Sequence, residues 1–118
     1  LTDITLKTDD ELLAIAMPMV DDVVKASNNK DWEAFSMYQT AEEADDPDNK
    51  QNVLRQWEQQ EFLSSLNTDR EVLTILRRDG TASIVWKQTS DKVRDEFLAI
   101  YSIREIEGEV KEVGFVIL

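Results

Sequence analysis

The chain has 118 residues, 42% of them hydrophobic, a size and composition that suit one globular domain with a substantial core. Its 25 Asp and Glu against 13 Lys and Arg leave a net charge of −12, which argues against nucleic acid, whose phosphates need a basic patch, and against an anionic membrane surface. With no Cys and no His, the sequence excludes disulfides, thiolate or imidazole metal sites, cysteine nucleophiles and histidine-based acid–base chemistry, so any catalysis falls to Asp, Glu, Lys, Arg or Tyr.

Residues 8 to 28 read as a helix. Thr8 with Glu11 three positions on forms a capping box, and Asp9 and Asp10 suit the positive end of the helix dipole. Leu12, Ile15, Ala16, Met19, Val20 and Val23 then recur at helical spacing. Pro18 inside this pattern predicts a kink near residues 14 to 18, or two abutting helices, and Asn28-Asn29 is the expected left-handed stop. Asp31 caps a second helix, DWEAFSMY, with Trp32, Phe35 and Tyr38 facing inward. The acidic stretch AEEADDPDNK, residues 41 to 50, breaks the pattern and reads as a loop. Asp46 as cap with Pro47 at the first helical position opens a third helix carrying Val53, Leu54, Trp57, Glu61 or Phe62, and Leu66, and ending at Asn67.

After residue 69 the period changes to two. Val72 to Arg78 is a strand, and Asp79-Gly80 is a two-residue hairpin turn in which both central positions favour positive φ. Residues 81 to 89 return with Ala82, Ile84 and Trp86 on one face, and a polar link, SDKVRD, follows. Residues 95 to 106 and 109 to 118 form a second hairpin around Glu107-Gly108. Its first arm is apolar on both faces, with Phe97, Ala99, Tyr101 and Ile103 on one and Leu98, Ile100 and Ile106 on the other. The fold class is α+β in a single domain over residues 1–118, with three N-terminal helices packed on a strongly bent antiparallel sheet of about four strands.

The segment NNKDWEAFSMY, the helix QNVLRQWEQQEFLSSL and the two closing hairpins resemble the nuclear transport factor 2-like superfamily, the cystatin-like or SnoaL-like group that includes ketosteroid isomerase. The resemblance covers nearly all of residues 10 to 118. It implies a cone in which a bent sheet wraps the long helix around an apolar pocket, and a homodimer formed through the outer face of the sheet. It does not extend to the isomerase donors: the first helix has no Tyr, and Gln39 and Thr40 follow the second. A second copy would cover the outer apolar face, whose exposure otherwise forfeits roughly 1.5–3 kcal/mol per large side chain. The competing cover is the N-terminal segment LTDITL or a helix.

The candidate ligand-binding residues are Met17, Met19, Tyr38, Trp57, Trp86 and Tyr101: the two Met flank Pro18, and a Tyr or Trp inside a core needs a polar partner. No catalytic residue, metal site or cofactor is assigned. The acidic loop, Glu42, Glu43, Asp45, Asp46 and Asp48, lacks the spacing of a calcium loop and reads as a solvated segment. The first functional expectation is a homodimeric binder of a small apolar or acidic molecule, with no clear catalytic machinery. The alternatives are a protein-interaction module with a filled cone, and an isomerase- or hydratase-like pocket enzyme using Asp and Tyr. The first residue is Leu1, which leaves upstream residues such as a tag or signal peptide open and the compartment undecided, with the cytoplasm slightly favoured.

Overall fold

Why the helices start where they do is read directly from their caps. In the computed structural model, which describes residues 3–118, helix α1 spans Asp9–Asn28. The capping box forms as expected: the Thr8 hydroxyl accepts from the Glu11 amide at 3.2 Å and the Glu11 carboxylate accepts from the Thr8 amide at 2.9 Å. The helix runs through Pro18 as one element, so the alternative of two abutting helices does not occur. Its end corrects the sequence reading. Asn29 stays right-handed at φ −93°, and Lys30 takes the left-handed position at φ 52°. Lys30 and Asp31 donate their amides back to Ser27 and Ala26, which satisfies the last carbonyls of the helix. Asn28 is otherwise engaged, since its side chain clamps the Leu66 backbone, donating at 2.9 Å and accepting at 2.7 Å.

The second helix is shorter than expected. Asp31 caps α2, but only Trp32–Phe35 is helical. The acidic stretch is not all loop either: Thr40 caps one helical turn, α3, at Ala41–Ala44. Helix α4 begins as predicted, with Asp46 as cap and Pro47 at its first position, and spans Pro47–Gln59. It stops before residue 67. Gln60 leaves helical dihedrals at φ −123°, and a 3-10 turn at Glu61–Ser64 follows. That turn lets Phe62 stack on Phe97 at 4.4 Å and delivers Leu66, 3% exposed, to the Asn28 clamp. The protein is thus α+β, and the described residues hold four α-helices where the sequence suggested three, the extra one being the turn at residues 41–44.

Strands β1 (Glu71–Arg78), β2 (Thr81–Ser90), β3 (Val93–Ile106) and β4 (Glu109–Ile117) pair in sequence order as an antiparallel sheet. Both predicted tight turns have positive φ at both central residues: 52° and 75° at Asp79-Gly80, 53° and 83° at Glu107-Gly108. The link between β2 and β3 is tighter than SDKVRD suggested, because the strands extend to Ser90 and from Val93. The register shifts in all three strand pairs, at Val72/Thr74, Gln88/Ser90 and Ser102/Ile103. Such bulges bend a strand and re-aim its side chains.

One sheet face carries Ala82, Ile84, Trp86, Ala99, Tyr101 and Ile103, all fully buried, against Leu12, Ala16, Val20, Val23 and Val24 of α1. Ile4, in a 3-10 turn at Ile4–Leu6, joins this core. Arg77 of β1 fastens that turn, donating to the carbonyls of Thr5 at 3.1 Å and Lys7 at 2.9 Å and to the Asp9 carboxylate at 2.6 Å. The N-terminal turn therefore packs on the inner side; Leu1 and Thr2, the start of LTDITL, lie outside the described residues. On the outer face Leu76 is 55% exposed, Leu98 39%, Val116 48% and Leu118 71%, around the buried Val85. Nothing among the described residues covers this patch.

Candidate functional site

A cleft of about 460 Å³ separates α4 from β4. Its position follows from the cap of α4. The Asp46 carboxylate accepts from the Asp48 amide at 2.9 Å and launches the helix so that Asn49, Asn52, Val53, Gln56 and Trp57 line one wall. The facing wall is the run Glu112–Leu118 along the outermost strand. Phe35, Trp57 and Phe115 form an aromatic floor, with Phe35 edge-on to Trp57 at 5.3 Å and 6.3 Å from Phe115. Behind it Phe115 contacts Trp86 at 6.0 Å and Tyr101 at 5.6 Å, so the cleft opens directly off the core.

Glu112 closes one end. Its amide donates to the Tyr38 carbonyl at 2.7 Å, and it forms a parallel bridge with Gln39. The residue is only 6% exposed, and its Oε1 has no hydrogen-bond partner among the described residues. Burial, with the charge of Glu43 adding to it, pushes this carboxyl up to about 7. Gln39 accepts from Asn49 Nδ2 at 2.9 Å, and the same amide group donates to the Glu43 carbonyl at 2.9 Å. Asn49 thus ties α4 to α3 and to Gln39, the residue that bridges to β4 at Glu112. Trp57 is held from behind: its indole N–H donates to Ser27 Oγ at 3.1 Å, and Ser27 Oγ donates to the Leu63 carbonyl at 2.5 Å.

Of the six residues singled out from the sequence, Trp57 lines the cleft. Met19 and Trp86 are buried in the core and Met17 packs against it. The Trp86 indole finds its polar partner in Gln88, at 2.9 Å. Tyr38 donates its hydroxyl to Asp22, an interaction that raises its pKa to about 12, with burial adding to the shift. Tyr101 is fully buried, its hydroxyl has no partner among the described residues, and burial followed by the Glu112 charge raises its pKa further. Sequence reasoning missed Glu112 and the amides of α4. Strict alternation from the inward Phe115 and Ile117 sends Glu112 outward, but the shift at Ser102/Ile103 leaves Val113 as an extra residue and pairs Glu112 with inward Ile103. Gly114, a strand glycine beside the shift, is the one local signal.

The residues lining the cleft include Glu43 and Glu112 but no Lys or Arg. Such a site offers hydrogen-bonding amides, an aromatic surface and a carboxyl able to donate or accept a proton near neutrality. Among the described residues no cluster of three or more acidic side chains is placed to hold a metal ion. No family model, curated protein or solved structure matches the chain.

Proposed function

We propose that the protein is a ligand-binding domain of the cone-shaped, nuclear transport factor 2-like type, and that its ligand occupies the cleft between α4 and β4. The observation that carries this reading is a 460 Å³ recess with an aromatic floor and a buried carboxyl at its end. Its volume lies within the range of ligand sites, which pair apolar walls with a few placed polar groups. Bulges in every strand pair and the burial of α1 on the inner sheet face support the cone. The absence of a cation among the lining residues favours a neutral ligand over an acidic one. The test is a titration of ¹⁵N-labelled protein with a library of neutral fragments. Shifts centred on the Trp57 indole, Gln56 and Phe115 are expected; hits confined to other surfaces overturn the reading.

The uncovered outer face supports a homodimer. Leu76, Leu98, Val116 and Leu118 form an exposed apolar patch of the kind that marks an interaction surface. Native mass spectrometry is expected to give twice the 13.6 kDa chain mass, and Leu98→Lys to return it to one; a wild-type monomer overturns the dimer.

Glu112 favours a second reading, a pocket enzyme. A carboxyl held near 7 beside an aromatic wall has the properties of a general acid or base. Catalysis would appear as turnover of a cleft-bound ligand that Glu112→Gln abolishes while leaving binding intact. Loss of binding and turnover together makes Glu112 a binding group only.

A further inference from the structure

The wall of the cleft opposite α4 is the edge of a sheet. Leu98 and Leu118 exchange both backbone bonds, the Leu98 amide donating at 3.0 Å and the Leu118 amide at 2.8 Å. In an antiparallel pair, bonded and non-bonded positions alternate. Ile100 and Val116 are therefore the next bonded pair, while Phe115, opposite Tyr101, and Ile117, opposite Ala99, turn their N–H and C=O away from β3. Among the described residues no strand lies beyond β4, so these groups face the cleft that the same residues line.

We propose that the cleft takes an extended peptide segment of neutral or basic character, paired to the free edge of β4 as a fifth strand. This rests on the cleft being the binding site and names the class of its ligand. Three observations converge on it. First, the chain already lays backbone on this edge: Tyr38 accepts from the Glu112 amide and Gln39 bridges to Glu112 in parallel, just where the open stretch begins. Second, α4 sets Asn52 and Gln56 one turn apart along the opposite wall, Gln60 just past its end lines the same wall, and the three side chains make no hydrogen bond with any described residue. A carboxamide offers both donor and acceptor, matching the second edge of a bound strand, so backbone groups would be met from both sides. Third, the charged lining residues are Glu43 and Glu112 in a chain of net charge −12, which repels an acidic segment and attracts a basic one. The same charge disfavours a second copy's β4 at this edge.

The probe is a displayed library of random seven-residue peptides selected against the full chain. Enriched peptides are then synthesised with single backbone N-methyl groups and titrated into ¹⁵N-labelled protein. Enriched sequences should be poor in Asp and Glu. N-methylation at alternate positions should weaken binding about tenfold, the loss of one or more backbone hydrogen bonds. The Phe115 and Ile117 amides should gain exchange protection in the complex. Ile117→Pro removes an edge N–H that β3 does not use and should abolish binding. Because Ile117 also packs against the core, the exposed pair Gln56→Ala with Gln60→Ala is the second variant, expected to weaken binding about threefold to tenfold with the melting temperature unchanged. Absence of enriched peptides, acid-rich binders, or binders indifferent to N-methylation at every position overturns the proposal. If neutral fragments still shift the Trp57 indole in that case, the cleft remains the site and only the peptide inference fails; if they do not, both fail. Protection of the Phe115 and Ile117 amides in a self-associated form that no selected peptide displaces makes a second copy the occupant and also overturns it.

Discussion

Glu112 owes its burial to one extra residue of chain. Without the bulge at Val113 its carboxyl would stand in water with Lys111 turned inward, and no reading of alternation along EVKEVGFVI could place it otherwise. The consequence is a measurable pH dependence. The charge that acts on it is Glu43 from α3, its own charge acts on Tyr101 of β3, and no cation is among the causes of its shift. Its pKa is raised from 4.5 to about 7 in the folded state, so between those values the folded protein binds more protons than the unfolded chain. This contribution is fully present below 4.5 and is lost as pH rises through about 7. Glu112→Gln should therefore raise stability by about 1–3 kcal/mol at about pH 8 and change it little at about pH 4, measured as the shift in urea midpoint. A wild-type midpoint that does not fall across this window argues against the buried carboxyl. Ser27 is a second residue whose role was hidden, since its partners Leu63 and Trp57 lie far along the chain. Ser27→Ala leaves a buried indole N–H and a carbonyl unpaired, and should lower stability by about 1–3 kcal/mol in urea unfolding.

At the scale of elements, the legible features were those encoded within four residues. The capping box of α1, the Asp46-Pro47 start of α4 and the two hairpin turns each rest on local hydrogen bonds or local φ preferences, and each lies where the sequence puts it. The ends of α1 and α4 were less legible because distant partners decide them. Asn28 is drawn to Leu66, and Phe62 leaves the helical path to stack on Phe97. Pro18 is the local conflict that the fold tolerates, an exposed residue in the middle of a 20-residue helix with no N–H to give. Pro18→Ala restores one helical hydrogen bond and should raise stability by about 1–3 kcal/mol, read as a higher melting temperature. An unchanged or lower value would mean that the geometry imposed by Pro18 is needed for α1 to pack on the sheet.

The molecule measures 40 × 32 × 19 Å, a flattened body whose sheet, among the described residues, has no further strand at either edge and one uncovered face. That the last hairpin is apolar on both sides was plain from its sequence; that the cleft would form beside its edge was not, because the cleft depends on where α4 lies. The other edge, β1, is the more exposed of the two: all of its residues except Ile75 are open to solvent, including Val72 at 37% and Leu73 at 49%. No proline interrupts it, and such a border is a template for endless strand-to-strand stacking. Colloidal repulsion from the surplus of −12 is the counterweight, and it is only as long-ranged as the solvent allows. Raising ionic strength from ~0.01 M to ~1 M shortens the screening length from ~30 Å to ~3 Å, so light scattering should climb with added salt, and again as the solution is acidified towards the isoelectric point of 4.3. Leu73→Lys should keep the saline solution clear.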